Sequence, residues 1–188
     1  MGARILALVV AAASALPAAT DPLVAAVTRK LDQIENGQAK PGSVVRLSLA
    51  ELNAWVRAAA PESVGDGVRE PRIVLGNNTA TGYAVVDFVK LRRAAGGETS
   101  WLLGKLIQGE EPAVVRASLL SANGRATVHL LRVDVGGLTM SGAALDFLIR
   151  NFLLPLYPDA KIDEPFELDF HIERIELTPQ EARIYIRK

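Results

Sequence analysis

The sequence predicts an α+β fold: a curved antiparallel sheet of about six to seven strands in hairpins, with three to four helices packed on one face. Three observations lead there. Pairs of runs with alternating apolar residues flank short turn-forming segments, which is the signature of hairpins. Capped stretches of helical period interrupt those runs, which places helices against a sheet. No repeat, low-complexity tract or Pro/Gly-rich linker divides the chain after residue 19.

The chain begins Met1-Gly2-Ala3-Arg4, followed by an apolar run from Ile5 to Val10 that continues through alanines to Leu16. One positive charge, a short apolar segment and small residues form the three-part pattern of an export signal. The run is too short for a span of about 20 residues. Ala13-Ser14-Ala15 offers a cleavage site, with Ala18 and Ala19 as alternatives. The expectation is a signal peptide over 1–19, a single domain over 20–188, and a periplasmic or extracellular location.

Asp21-Pro22 reads as a helix cap followed by proline at the first helical position. Val24, Val27, Leu31 and Ile34 then form one apolar stripe, and Asn36-Gly37 ends the helix. Val45 and Leu47 alternate with polar neighbours as a short strand. Ser48-Leu49-Ala50-Glu51 is a capping box, in which the serine accepts from the Glu51 amide while the glutamate reaches back. The helix it opens carries Trp55 and Val56 and is expected to stop at Pro61.

Three hairpins are expected next. Runs 72–75 and 80–91 flank Gly76-Asn77-Asn78-Thr79, and runs 113–121 and 125–135 flank Asn123-Gly124, a strong tight-turn signal. Runs 166–177 and 182–186 flank Thr178-Pro179-Gln180-Glu181. In the first of these last two, Phe166, Leu168, Phe170 and Ile172 share a face that Ile175 and Leu177 then take over. That change of phase predicts a bulge near Glu173 and Arg174. Helices are expected over 98–107, with Trp101, Leu102, Leu103, Leu106 and Ile107, and over 141–154, with Leu145, Phe147, Leu148, Ile149, Phe152, Leu153 and Leu154.

Composition narrows the function classes. The 21 basic and 21 acidic side chains are dispersed, which argues against a nucleic-acid binder with a concentrated basic face. Cysteine is absent, which excludes disulfides, thiolate metal sites and cysteine nucleophiles. About half the residues are apolar, and a chain of this length buries roughly 70% of its unfolded surface.

The residues that invite chemistry are better explained without it. His129 and His171 fall in expected strands and belong to no spaced ligand set. Ser141-Gly142 stands where a nucleophile elbow would, but the G-x-S-x-G pattern is missing and a helix cap accounts for Ser141. Gly136-Gly137 lacks the spacing of a phosphate-binding loop. Asp159, Asp163, Glu164, Glu167 and Asp169 lack the order of a calcium loop and read as a solvated acidic turn. Asn77-Asn78-Thr79 matches the glycosylation acceptor pattern, and a hairpin turn explains it equally well. No catalytic residue, metal site or cofactor is expected.

The two late helices are more informative. An ordinary surface helix has a polar face opposite its buried one. Residues 145–154 are apolar around most of the axis, with Asp146, Arg150 and Asn151 as the polar exceptions, and the 98–107 stretch is similar. Two explanations compete: helices clasped within ordinary core, or helices that line a cavity or lip for an apolar chain or a membrane.

The stretch Val45-Arg46-Leu47-Ser48-Leu49-Ala50-Glu51-Leu52-Asn53-Ala54-Trp55 resembles the start of bacterial exported proteins of the YpmS-like and LmeA-like kind. The order of elements is similar too. Such proteins look like relatives of the tubular lipid-binding fold, in which a curved sheet wraps a long helix. The resemblance implies an envelope protein that binds lipid. It carries over no functional residue.

The leading expectation is therefore a non-enzymatic exported envelope protein for lipid or another apolar or amphipathic small molecule. Its surface would be the concave sheet face with Phe88, Leu119, Phe166, Leu168 and Phe170, closed by Trp101, Leu106, Leu148 and Phe152. Peripheral membrane contact is compatible with it. The runner-up is an envelope protein–protein interaction or assembly module, and an unrecognised hydrolase comes third.

Overall fold

The computed structural model describes residues 21–64, 67–90, 109–156 and 159–188. The expected export signal, the 98–107 helix and with it Trp101 and Leu106 lie outside them. Among the described residues no helix is long and apolar enough to cross a membrane.

The architecture is α+β and open, with two antiparallel sheets. In chain order the elements are α1 (Pro22–Glu35), β1 (Val44–Ser48), α2 (Leu49–Val64), β2 (Val68–Gly76), β3 (Thr79–Asp87), β4 (Glu110–Ala122), β5 (Arg125–Val135) and β6 (Leu138–Thr139). There follow α3 (Gly142–Leu148), a π-helical turn (Ile149–Leu153), α4 (Leu154–Leu156), β7 (Pro165–Glu167), β8 (Ile172–Leu177) and β9 (Glu181–Ile186). Strands β2-β3-β4-β5-β6 lie in order, with β7 also on the outer edge of β5, and β1-β9-β8 form a separate three-stranded sheet.

Local chemistry sets the entry to each early element. The Leu23 amide donates to Asp21 Oδ1 at 2.8 Å, which caps α1. At α2 the capping box closes both ways: the Glu51 amide donates to Ser48 Oγ at 3.2 Å, and the Ser48 amide donates to Glu51 Oε2 at 2.8 Å. Burial works against the charge on Glu51. The bonds from Lys30 and Ser48 outweigh it, and they hold the carboxyl below its ordinary range. Helix α2 runs on to Val64, past the expected stop at Pro61. Asn123 and Gly124 both take positive φ, the backbone that a tight hairpin of matching twist requires.

The third hairpin differs from expectation. The run 166–177 is not one bent strand. Phe170 and His171 take left-handed backbone (φ 57° and 58°), so β7 pairs with β5 while β8 leaves to pair with β9. The bulge at Glu173 is present as expected, between Ile172 and Arg174. Gly136-Gly137 forms the turn between β5 and β6, both with positive φ.

Two apolar cores result. The larger joins α1, α2 and the three-stranded sheet to one end of the six-stranded sheet. Val27, Ile34, Leu47 and Ile172 sit at its centre, with essentially no exposed surface. Asn53 stitches α2 to β2, donating to the Ile73 carbonyl and accepting from the Ile73 amide. Ser121 stitches the sheets together, since its hydroxyl donates to the Ile175 carbonyl and accepts from the Ile175 amide, both at 2.7 Å. The smaller core gathers Val86, Phe88, Val133, Val135 and Phe152 at the other end.

Candidate functional site

Between the two cores the inner face of the six-stranded sheet is only partly covered. Strand alternation puts Ala113, Val115, Ala117 and Leu119 of β4 on that face. On β5 the face is held by Val128 and Leu130, then by Val133 and Val135 after a register shift opposite Arg116 and Ala117. The extra residue of that shift is Leu131, turned outward and half exposed. Leu119 at one end of the row is 2% exposed, whereas Val115 in the middle of the sheet is 40% exposed. A β-branched residue at the centre of a sheet face is ordinarily covered by a second layer.

Beside Val115 lies a half-open groove of about 330 Å³, walled by Val86 and Phe88, by Leu130 and Val133, and by Leu148 and Phe152 of the helical segment. Its remaining lining is also apolar. The helical wall is held by aromatic contacts. Phe152 meets Phe88 edge-on at 5.3 Å and Phe147 at 6.2 Å. Phe152 is buried, but Leu145, Leu148, Ile149 and Leu153 keep part of their surface exposed. Of the two explanations for this apolar helix, the described part is not clasped on all sides.

The wall contains a π-helical turn over Ile149–Leu153, where the Leu154 amide donates to the Ile149 carbonyl five residues back. Such turns are rare and occur often at functional sites. Here the turn supplies Ile149, Phe152 and Leu153 to the groove. Asn151, one of the polar exceptions in the helix, donates its side chain to the Phe147 carbonyl at 2.9 Å and thereby serves the irregular backbone. Asp146, Arg150 and Lys161 are exposed, each adjacent in sequence to a wall residue (Leu145, Ile149 and Ile162). None of the three lines the groove, so its wall carries no charged side chain.

Of the nine expected site residues, Phe88, Leu148 and Phe152 come together here, and Leu119 lines an adjoining hollow of about 260 Å³ with Val56, Ile73 and Gly82. Phe166, Leu168 and Phe170 do not reach either space. They pack into the larger core: Phe166 from β7, opposite Ala126 of β5, and Leu168 and Phe170 from the segment that leaves the sheet at the left-handed turn. Trp101 and Leu106 lie outside the described residues. Sequence reasoning missed Val115, Leu130, Val133 and Ile149. The loss of strict alternation at Leu130-Leu131 was the available signal for the β5 bulge and the change of face.

A third hollow, of about 440 Å³, lies by Ser121 and Ile175 and is walled in part by Arg125, Arg174 and Glu176. The last two already pair at 2.9 Å, so charged groups line this hollow and make it a poor container for an apolar ligand. His129 Nδ1 lies 2.7 Å from Asp163 Oδ1, and both groups are exposed. Among the described residues no hydroxyl bonds to either histidine, and Ser141, at the start of α3, makes no capping bond. No group of three or more potential metal ligands occurs among them either.

Comparison of the chain with protein-family models, with curated proteins and with solved structures gives no match.

Proposed function

We propose that this protein is an exported envelope protein that binds a lipid, or a similar apolar or amphipathic molecule, in the groove between Phe152 and the sheet. The observation that carries this reading is a half-open, wholly apolar groove whose floor includes a 40% exposed valine at the middle of a sheet. A water-filled apolar trough is unfavourable, and each methylene that displaces that water contributes about 0.8 kcal/mol. Side chains that offer only dispersion and desolvation suit a hydrocarbon chain, and a half-open groove lets a polar head stay in water. The likeness of residues 45–55 to exported lipid-binding proteins points the same way. No step of the reading requires bond making or breaking.

Native mass spectrometry of protein expressed with its leader and purified without detergent tests it. Bound species at lipid masses, lost on extraction with organic solvent, are expected. A ligand-free spectrum together with no uptake from added lipid would overturn the proposal.

A further inference from the structure

We infer that the two adjoining apolar hollows act as one trough for a single extended acyl chain lying along β4, and that Gly82 sets how far the chain reaches. This rests on the lipid-binding reading and adds to it the ligand's form.

Continuity comes first. The groove beside Phe152 and the hollow beside Val56 share Val115, Ala117 and Val128 in their linings, so the two spaces adjoin over the floor of the sheet. Along β4 that floor runs from Ala113 to Leu119, six strand steps or about 20 Å. One leaflet of a bilayer is half of a hydrocarbon core of about 30 Å. The trough is thus long enough for one acyl chain laid straight. With volumes of about 330 and 260 Å³, each part sits near the lower end of ligand pockets, which span roughly 300–1,000 Å³. Spaces at that end of the range suit a single chain.

Gly82 lies where the two parts meet. It pairs with Val115 across β3 and β4, with Ala80 opposite Ala117 and Ala84 opposite Ala113 on either side. A Cβ at Gly82 would meet nothing but the Val115 carbonyl oxygen, at 4.0 Å, and its φ is not in the left-handed region. The position therefore does not need glycine for its backbone, and glycine inside a strand weakens it. What the missing side chain provides is depth. A leucine there would stand in the passage between the two hollows without a clash in the backbone.

The test is calorimetric titration of the delipidated full chain with palmitate and with octanoate, for the wild type, Gly82→Ala and Gly82→Leu. The wild type is expected to bind one palmitate, far more tightly than octanoate, since each methylene taken from water is worth about a fourfold gain in affinity. Gly82→Leu should weaken palmitate roughly a hundredfold and leave octanoate within about threefold, because the Phe152 end still holds a short chain. Its melting temperature should equal or exceed the wild-type value, and Gly82→Ala should fall between the two in palmitate affinity. If Gly82→Leu folds and binds palmitate as the wild type does, the chain does not cross the sheet at Gly82, and the inference fails while the lipid-binding reading stands. Two palmitates per protein would overturn the single-chain form. A wild type that takes up neither acid, with Gly82→Leu strongly destabilised, would mean that protein already covers the floor, and both readings would fall.

Discussion

Replacing Val115 with lysine probes the open floor directly through stability. A fully buried valine contributes about 1.5 kcal/mol, so a side chain that is 40% exposed contributes about 1 kcal/mol. In an open trough the lysine stem can lie along the apolar floor and carry its ammonium out to water. Val115→Lys should therefore cost about 1 kcal/mol, read as a small shift of the urea midpoint at constant slope. Leu47 is the internal control: it stands on β1 at 0% exposure, packed in the larger core and lining neither hollow. A charge there has no route to water, and Leu47→Lys should abolish folding. If Val115→Lys also costs 3 kcal/mol or more, a range typical of stranding a buried charge, the floor is covered and the reasoning fails.

Two further substitutions test how the frame holds the trough in place. Ser121→Ala removes the hydroxyl that bonds both backbone groups of Ile175; it should cost about 1–3 kcal/mol and speed hydrogen exchange at the Ile175 amide. Unchanged exchange there would show that the stitch is not what joins the sheets. For Glu51, burial raises the carboxyl, but the Lys30 and Ser48 bonds prevail, so its folded pKa lies below its unfolded value of about 4.3. Its contribution to stability is then fully present above that value and is lost as the pH falls through the depressed folded one. Glu51→Gln should be less stable than the wild type at pH 7, with the two denaturation curves converging on acidification. A gap that persists unchanged at low pH would contradict that assignment.

What was legible in the sequence was what is local. The Asp21 cap, the Ser48–Glu51 box and the Asn123-Gly124 turn are each satisfied within a few residues of themselves, and each appears where the pattern placed it. The bulge at Glu173 was equally readable, because a phase slip leaves its mark on the alternation. The break at Phe170 and His171 was not, since phenylalanine gives no sign of left-handed backbone and the enrichment of histidine there is too small to mark a single position. That miss put Phe166, Leu168 and Phe170 on the expected binding face, whereas they pack in the larger core. Periodicity says that a side chain is buried but not what it is buried against. The π-helical turn was invisible for the same reason: its apolar residues fit an α-helical stripe as well as they fit the observed wall. Gly82 carries no local signal, because its meaning depends on Val115 across the sheet.

Whether a lipid chain occupies the space beside Val115 is tested most directly by methyl-labelled NMR during palmitate titration of the delipidated protein. Saturable shifts are predicted for the methyls of Val115, Leu148, Ile149 and Leu153, with Val27, Leu31 and Ile34 in the larger core unmoved. Shifts that never saturate, or that fall only on exposed side chains such as Leu138, would contradict it.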